Sequence, residues 1–185
     1  MILSDRDIKR HMDEGRIVID PLNEQDIQPA SVDVRLGTNF RVFRDSTSAF
    51  IDPANLDEDI TESIDVEMGG TFVLHPGQFA LGTTLERIAI PDDILGRLEG
   101  KSTLGRLGLL IHSTAGYVDP GWDGELTLEL SNVANLPILL HPGMRIGQMC
   151  FETMSSPVDR PYGSPNLGSH YQGQVGATPS HQLEG

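Results

Sequence analysis

A chain of 185 residues and 20.2 kDa has the size of one domain and can bury a genuine core. Its 27 acids against 13 bases leave a formal net charge of −14, which repels nucleic-acid backbones and anionic membrane surfaces, so neither is expected as a partner. Cys150 is the single cysteine, no basic-then-apolar leader opens the chain, and no apolar run approaches the ~18 residues of a membrane span, which together predict a protein of the reducing cytoplasm. With 20 Gly, 12 Pro and 38% hydrophobic residues, the composition favours short strands and many turns over a helical bundle. Two lysines, eleven arginines and sixteen aspartates resemble a salt-adapted balance, although base-composition drift also favours Arg over Lys. In so acidic a chain, a polyanionic ligand requires a local basic pocket.

Ser4 is placed to cap a short helix, with Ile8 and Met12 on one face and Gly15 at its end. Strand signals follow at 16–20, at 31–36, where Val32, Val34 and Leu36 alternate with Asp33 and Arg35, and at 39–43. Residues 45–68 hold eight acids and no Lys or Arg, and read as a solvated loop whose acids do not converge on a metal. Further strands are expected at 71–75, 79–90, 94–100, 124–133, 137–140 and 144–152, with His-Pro-Gly turns at His75 and His141. From Pro157 the chain is polar, and 157–185 reads as a tail without its own core, either mobile or draped on the body. The expected architecture is all-β, a sandwich or barrel with one N-terminal helix.

Several chemistries are absent from this pattern. One cysteine cannot supply a Cys-x-x-Cys zinc site, no His pair has helical ligand spacing, and GKST at 100–103 lacks the first Walker glycine because position 95 is Leu95. What remains lies in 100–132. Lys101, Ser102, Thr103 and Arg106, flanked by Gly100 and Gly105, suit a phosphate; the same residues also read as a helix start capped by Ser102. Asp119, in an Asp-Pro-Gly turn, is either a turn acceptor or an acceptor for a sugar hydroxyl. In ELTLEL, Leu126, Leu128 and Leu130 share one face, so Glu125, Thr127 and Glu129 share the other; Glu129 is either solvated or lines a cleft. Buried against a partner, it could shuttle protons near neutrality. Tyr117, Trp122 and Tyr162 could stack on a base or sugar, with core filling the default for Trp122.

The segments GKSTLGRLGL, HSTAGYVDPGWDGELTLELSN, PGMRIGQMCFE, RPYG and YQGQ, with QPASVDVRLG near the start, resemble the trimeric dUTPase superfamily, and within it the dCTP deaminases. The resemblance implies one dUTPase-like domain over 1–185, a distorted β jelly-roll with a short N-terminal helix, a homotrimer with sites at subunit interfaces, and the 157–185 tail over the site. It implies zinc-free deamination of dCTP with Glu129 as proton shuttle and Ser102 and Arg106 beside the reacting water. The substrate contacts it implies are Lys101, Ser102, Thr103, Leu104, Gly105, Arg106, Asp119, the backbone of Thr127, Leu128 and Glu129, and Gln148, Tyr162, His170 and Gln174. Mg²⁺ would be bound through the substrate phosphates, with dUTP as a further substrate and dTTP as an inhibitor. Relatives often carry lysine where this chain has His170, so nucleotide binding is expected to tighten as His170 protonates. Gly116, followed by Tyr117, resembles the bifunctional group that forms dUMP, ammonia and diphosphate: a glycine either leaves room for a water at the α-phosphate or merely permits a turn. The competing readings are a deaminase that stops at dUTP, a plain dUTPase, and a jelly-roll module that holds a nucleotide without turning it over.

Overall fold

The computed structural model of the chain describes residues 1–44, 50–56 and 60–182. Ser4 accepts the amide of Asp7 and caps helix α1 (Asp5–Asp13), whose Ile8 and His11 are buried. The strands are β1 (Val18–Asp20), β2 (Ile27–Gln28), β3 (Ser31–Arg35), β4 (Asn39–Phe43), β5 (Thr61–Asp65), β6 (Phe72–Leu74), β7 (Phe79–Ala89), β8 (Ile94–Gly100), β9 (Leu109–Leu110), β10 (Tyr117–Val118), β11 (Asp123–Asn132), β12 (Ile138–Leu140) and β13 (Arg145–Thr153). One helical turn, α2 (Ser102–Gly105), follows β8.

Two antiparallel sheets face each other. One runs β5-β4-β7-β11-β9, with β1 also on β7; the other runs β10-β8-β13-β3-β2; β6 and β12 form a separate ribbon. The sheets share one core, to which the first gives Phe40, Ile88, Leu128 and Leu130 and the second Val32, Val34, Ile94, Met149 and Phe151. This is the expected all-β sandwich with an N-terminal helix. No helix among the described residues is long and apolar enough to cross a membrane.

One expectation needs correction. Within 45–68, Thr61–Asp65 is not loop but a strand paired with β4 along its length, Asn39 opposite Asp65 and Phe43 opposite Thr61. It lies at the sheet edge, where exposed acids are tolerated and discourage pairing with other chains, and that hid it in the composition. Residues 45–49, 57–59 and 183–185 of the loop and tail readings lie outside the described residues. In β3, Asp33 does not face water. It is 3% exposed and takes Lys101 Nζ at 2.6 Å, with Arg145 Nε at 3.7 Å. A neighbouring pair, Arg145 on buried Asp26 at 2.6 Å, extends this network.

Glu86 in β7 is 1% exposed and accepts both the backbone N–H of Arg35 at 2.9 Å and its Nε at 2.7 Å. Burial pushes its carboxyl above the ordinary 4.5, and Arg35 only partly offsets this. The folded chain therefore holds this proton at a pH where the unfolded chain has released it. The Glu86 contribution to stability falls as pH rises through the window just above 4.5. Denaturant titrations between pH 4 and 7 should show the native protein losing stability relative to Glu86→Gln as pH rises; parallel curves would contradict this.

Candidate active site

The regular alternation of β11 builds the site. Leu126, Leu128 and Leu130 are buried, while Glu125, Thr127 and Glu129 stand on the other side, half-covered. What covers them answers the question the pattern left open. Glu129 Oε2 accepts the backbone N–H of Ser113 at 2.6 Å and of Thr114 at 3.3 Å, and its own N–H donates to Ile111 O at 2.9 Å. Among the described residues Oε1 has no hydrogen bond. One oxygen is thus fixed by the 113–114 loop while the carboxylate lines a cavity of about 790 Å³. Glu129 lines a cleft rather than a solvated face.

That cavity also receives Asp119, Tyr117, Thr127, Trp122, Tyr162, Gln174 and His112. In the Asp119–Trp122 turn it is the main-chain oxygen of Asp119 that accepts Trp122 N–H at 3.1 Å; the carboxylate has no hydrogen bond among the described residues and remains an acceptor for a ligand. Trp122 is buried, as expected, donates Nε1–H to Gly124 O and packs at 5.3 Å against the ring of Tyr162. Tyr117 is largely exposed, with the Arg97 guanidinium 6.0 Å from its ring centroid. Leu128 is fully buried, so only its main chain is available to a ligand.

Tyr162, Tyr171 and Gln174 of the tail line this cavity, and main-chain hydrogen bonds dock the tail beside it. Tyr162 N–H donates to Pro120 O, Gly173 N–H to Asp123 O, and Glu125 N–H to Gln174 O. Gly176 N–H donates to Glu125 Oε2 and Thr178 N–H to Thr127 Oγ1. Through residue 182 the tail is draped rather than free. His170 lies outside the cavity, its ring stacked at 5.2 Å on His181.

The phosphate-type cluster lies elsewhere. Lys101, Ser102, Thr103, Gly105 and Gln148 line a second cavity of about 500 Å³. Lys101, not Ser102, occupies the cap position of α2, and no side chain caps it; the Ser102 hydroxyl is exposed and the helix-cap reading fails. Leu104 packs partly against the core, and Arg106 is exposed, lining neither cavity. Gln148 accepts the hydroxyl of Ser31 at 3.3 Å beside the Asp33–Lys101 pair.

Within one chain, then, Glu129 and the Lys101–Arg106 cluster are not brought together. The two cavities share one residue, His112. The sequence reading passed over His112, since a lone histidine carries no spacing signal. Its Nδ1 is buried without a partner, its Nε2 is 4.0 Å from Glu99, and a Cβ on Gly116 would lie 3.6 Å from its ring and 3.3 Å from Leu98 O. Gly116 does not adopt a positive φ; what a side chain there would meet is the close approach of Leu98 O and the His112 ring. Among the described residues no three His, Cys, Asp or Glu side chains are placed to hold a metal ion.

Residues 2–154 match the family model described as dCTP deaminase-like. The chain belongs to the dCTP deaminase-like family. A Mycobacterium sp. (strain KMS) member of it, named "dCTP deaminase, dUMP-forming", is 58% identical over 184 residues, covering 100% of this chain and 97% of that protein. A Mycolicibacterium gilvum (strain PYR-GCK) protein of the same name is 59% identical over the same span. The crystal structure of the 2'-deoxycytidine 5'-triphosphate deaminase from Agrobacterium tumefaciens superposes with a TM-score of 0.64 at 24% identity over 82% of this chain. This chain spans about half of that one (47%), and the likeness bears on the fold.

Proposed function

We propose that this dCTP deaminase-like protein is a cytoplasmic enzyme that converts dCTP to dUMP, ammonia and diphosphate. The observation that carries the reading is Glu129: a carboxylate with one oxygen fixed by two loop amides and the other unpaired, lining a cavity of about 790 Å³. The curated relatives at 55–59% identity over the whole chain support it.

The base and sugar occupy the larger cavity. The amides of Glu125 and Glu129 both point away from β7, to Gln174 O and Ile111 O, and Thr127 between them presents its main chain on the same edge, where it can meet a pyrimidine. Asp119 accepts the 3'-hydroxyl, and Tyr162 and Trp122 wall the sugar. Glu129 takes a proton from water as the water's oxygen bonds to C4, then gives it to the departing amine as the C4–N bond breaks, leaving dUTP and ammonia. A second water then cleaves the α,β-phosphoanhydride, diphosphate leaves, and the space beside Gly116 accommodates that nucleophile.

Lys101, Ser102, Thr103, Leu104, Gly105, Arg106 and Gln148 serve a neighbouring copy. In a homotrimer, the phosphate cluster of one subunit completes the Glu129 cavity of the next, with Ser102 and Arg106 reaching the reacting water. His170 joins the triphosphate contacts of the closed tail, and dTTP competes for the same cavity. Mg²⁺ arriving on the triphosphate needs only phosphate oxygens and water, which fits a site without a cage of acidic or imidazole ligands, and it would offset phosphate charge during diphosphate release.

Incubation with dCTP and Mg²⁺, with products resolved by ion exchange, tests the reading. dUMP with equimolar ammonia is expected. dUTP as the end product would restrict the enzyme to deamination, and unchanged dCTP would leave a binding module.

A further inference from the structure

Gln174, which lines the larger cavity, carries an unsatisfied polar atom. Its Nε2 donates to Glu125 O at 2.7 Å, which fixes the orientation of the amide and turns Oε1 away from that carbonyl. Oε1 is buried and, among the described residues, has no donor. A phosphate oxygen cannot satisfy it, because both are acceptors; a hydroxyl or amino group can.

The position of Gln174 depends on one residue. Glu125 holds the tail at three points: its N–H donates to Gln174 O at 3.0 Å, its carbonyl takes Gln174 Nε2–H, and its carboxylate accepts Gly176 N–H at 2.7 Å. The carboxylate is itself steadied by the Thr83 hydroxyl at 3.2 Å from the adjacent strand. Gly176 has φ of 74°, a backbone favoured by glycine, which directs its N–H at that carboxylate. Of these three contacts only the last belongs to the side chain, and it is charge-assisted.

We propose that Glu125 is a positioning residue that latches the closed tail and thereby presents Gln174 Oε1 to a donor group on the nucleoside half of the nucleotide. The proposal rests on the dCTP reading for the identity of the ligand, but not for the latch.

The latch is tested on the full-length protein with Glu125→Ala and Glu125→Gln. Glutamine keeps an oxygen that accepts Gly176 N–H; alanine does not. Without nucleotide, hydrogen exchange of the tail peptide spanning 174–178 should quicken by about tenfold or more in Glu125→Ala and stay near the native rate in Glu125→Gln. With dCTP, Glu125→Ala should raise KM by about tenfold with kcat within about twofold, and Glu125→Gln should restore KM. Native exchange in Glu125→Ala, or a Glu125→Gln protein that opens as far as Glu125→Ala, would overturn the latch. If the exchange behaves as expected and no variant, nor the native protein, acts on dCTP, the latch stands and the ligand assignment falls.

Discussion

Glu129→Gln should abolish ammonia release while leaving the fold intact, lowering kcat for deamination by about 10²–10⁴-fold. The substitution keeps shape and hydrogen-bonding length. The loop amides of Ser113 and Thr114 require an acceptor, so the amide oxygen will take the place of Oε2. The NH₂ group is then left on the reacting side, where Oε1 now stands unpaired, and it can neither take a proton from water nor deliver one to the amine. The fold is insulated because the side chain lies off the core: Leu128 and Leu130, on the other side of β11, carry the packing. Ammonia assay, with circular dichroism and thermal melting as controls, reads the result. Deamination within tenfold of the native rate would remove Glu129 from the proton transfer.

Gly116→Val should change the product rather than stop the enzyme. A Cβ at this position meets Leu98 O at 3.3 Å and the His112 ring at 3.6 Å, so valine methyls have to push the loop or the ring into the space beside the cavity. The deaminating centre at Glu129 is held two and three residues upstream, through the amides of Ser113 and Thr114, so a shift confined to Gly116 and the His112 ring leaves Glu129 in place. A nucleophilic water displaced by about 1 Å costs roughly 10²-fold in rate. Diphosphate release should fall by about that factor while ammonia release falls far less, so dUTP accumulates. Loss of both activities in equal measure would show that Gly116 serves the deamination site or the loop as a whole; unchanged dUMP formation would show that the space is not used.

The strands were legible where packing imposes a period. ELTLEL alternates, and β11 buries the three leucines the pattern placed inside. The cap at Ser4 was legible because it is local, three residues from the amide it accepts. What could not be read was which polar groups meet across the fold. The burial of Asp33 could not be read because its partner, Lys101, lies 68 residues away. Glu129 remained open between surface and cleft because its covering loop is joined to it by main-chain N–H groups, which every residue but proline carries. On the tail side, docking uses mostly main-chain N–H groups, of Gly173, Gly176 and Thr178, so the choice between a mobile and a draped tail could not be read from its residues. β5 escaped because its exposed acids resemble those of a loop. The division of the site residues into two cavities is likewise invisible to a linear motif, in which Lys101 and Glu129 sit within one continuous stretch.

The split site can be tested most directly by mixing two inactive proteins. Ser102→Ala and Glu129→Gln subunits, each inactive alone on dCTP, are combined, unfolded and refolded together. If Glu129 of one subunit works with Ser102 of the next, some sites in the mixed assemblies pair the two intact halves, and about one quarter of native activity returns for random assembly at equal amounts. If both residues acted from the same chain, every site would carry a lesion and the mixture would stay as inactive as its components.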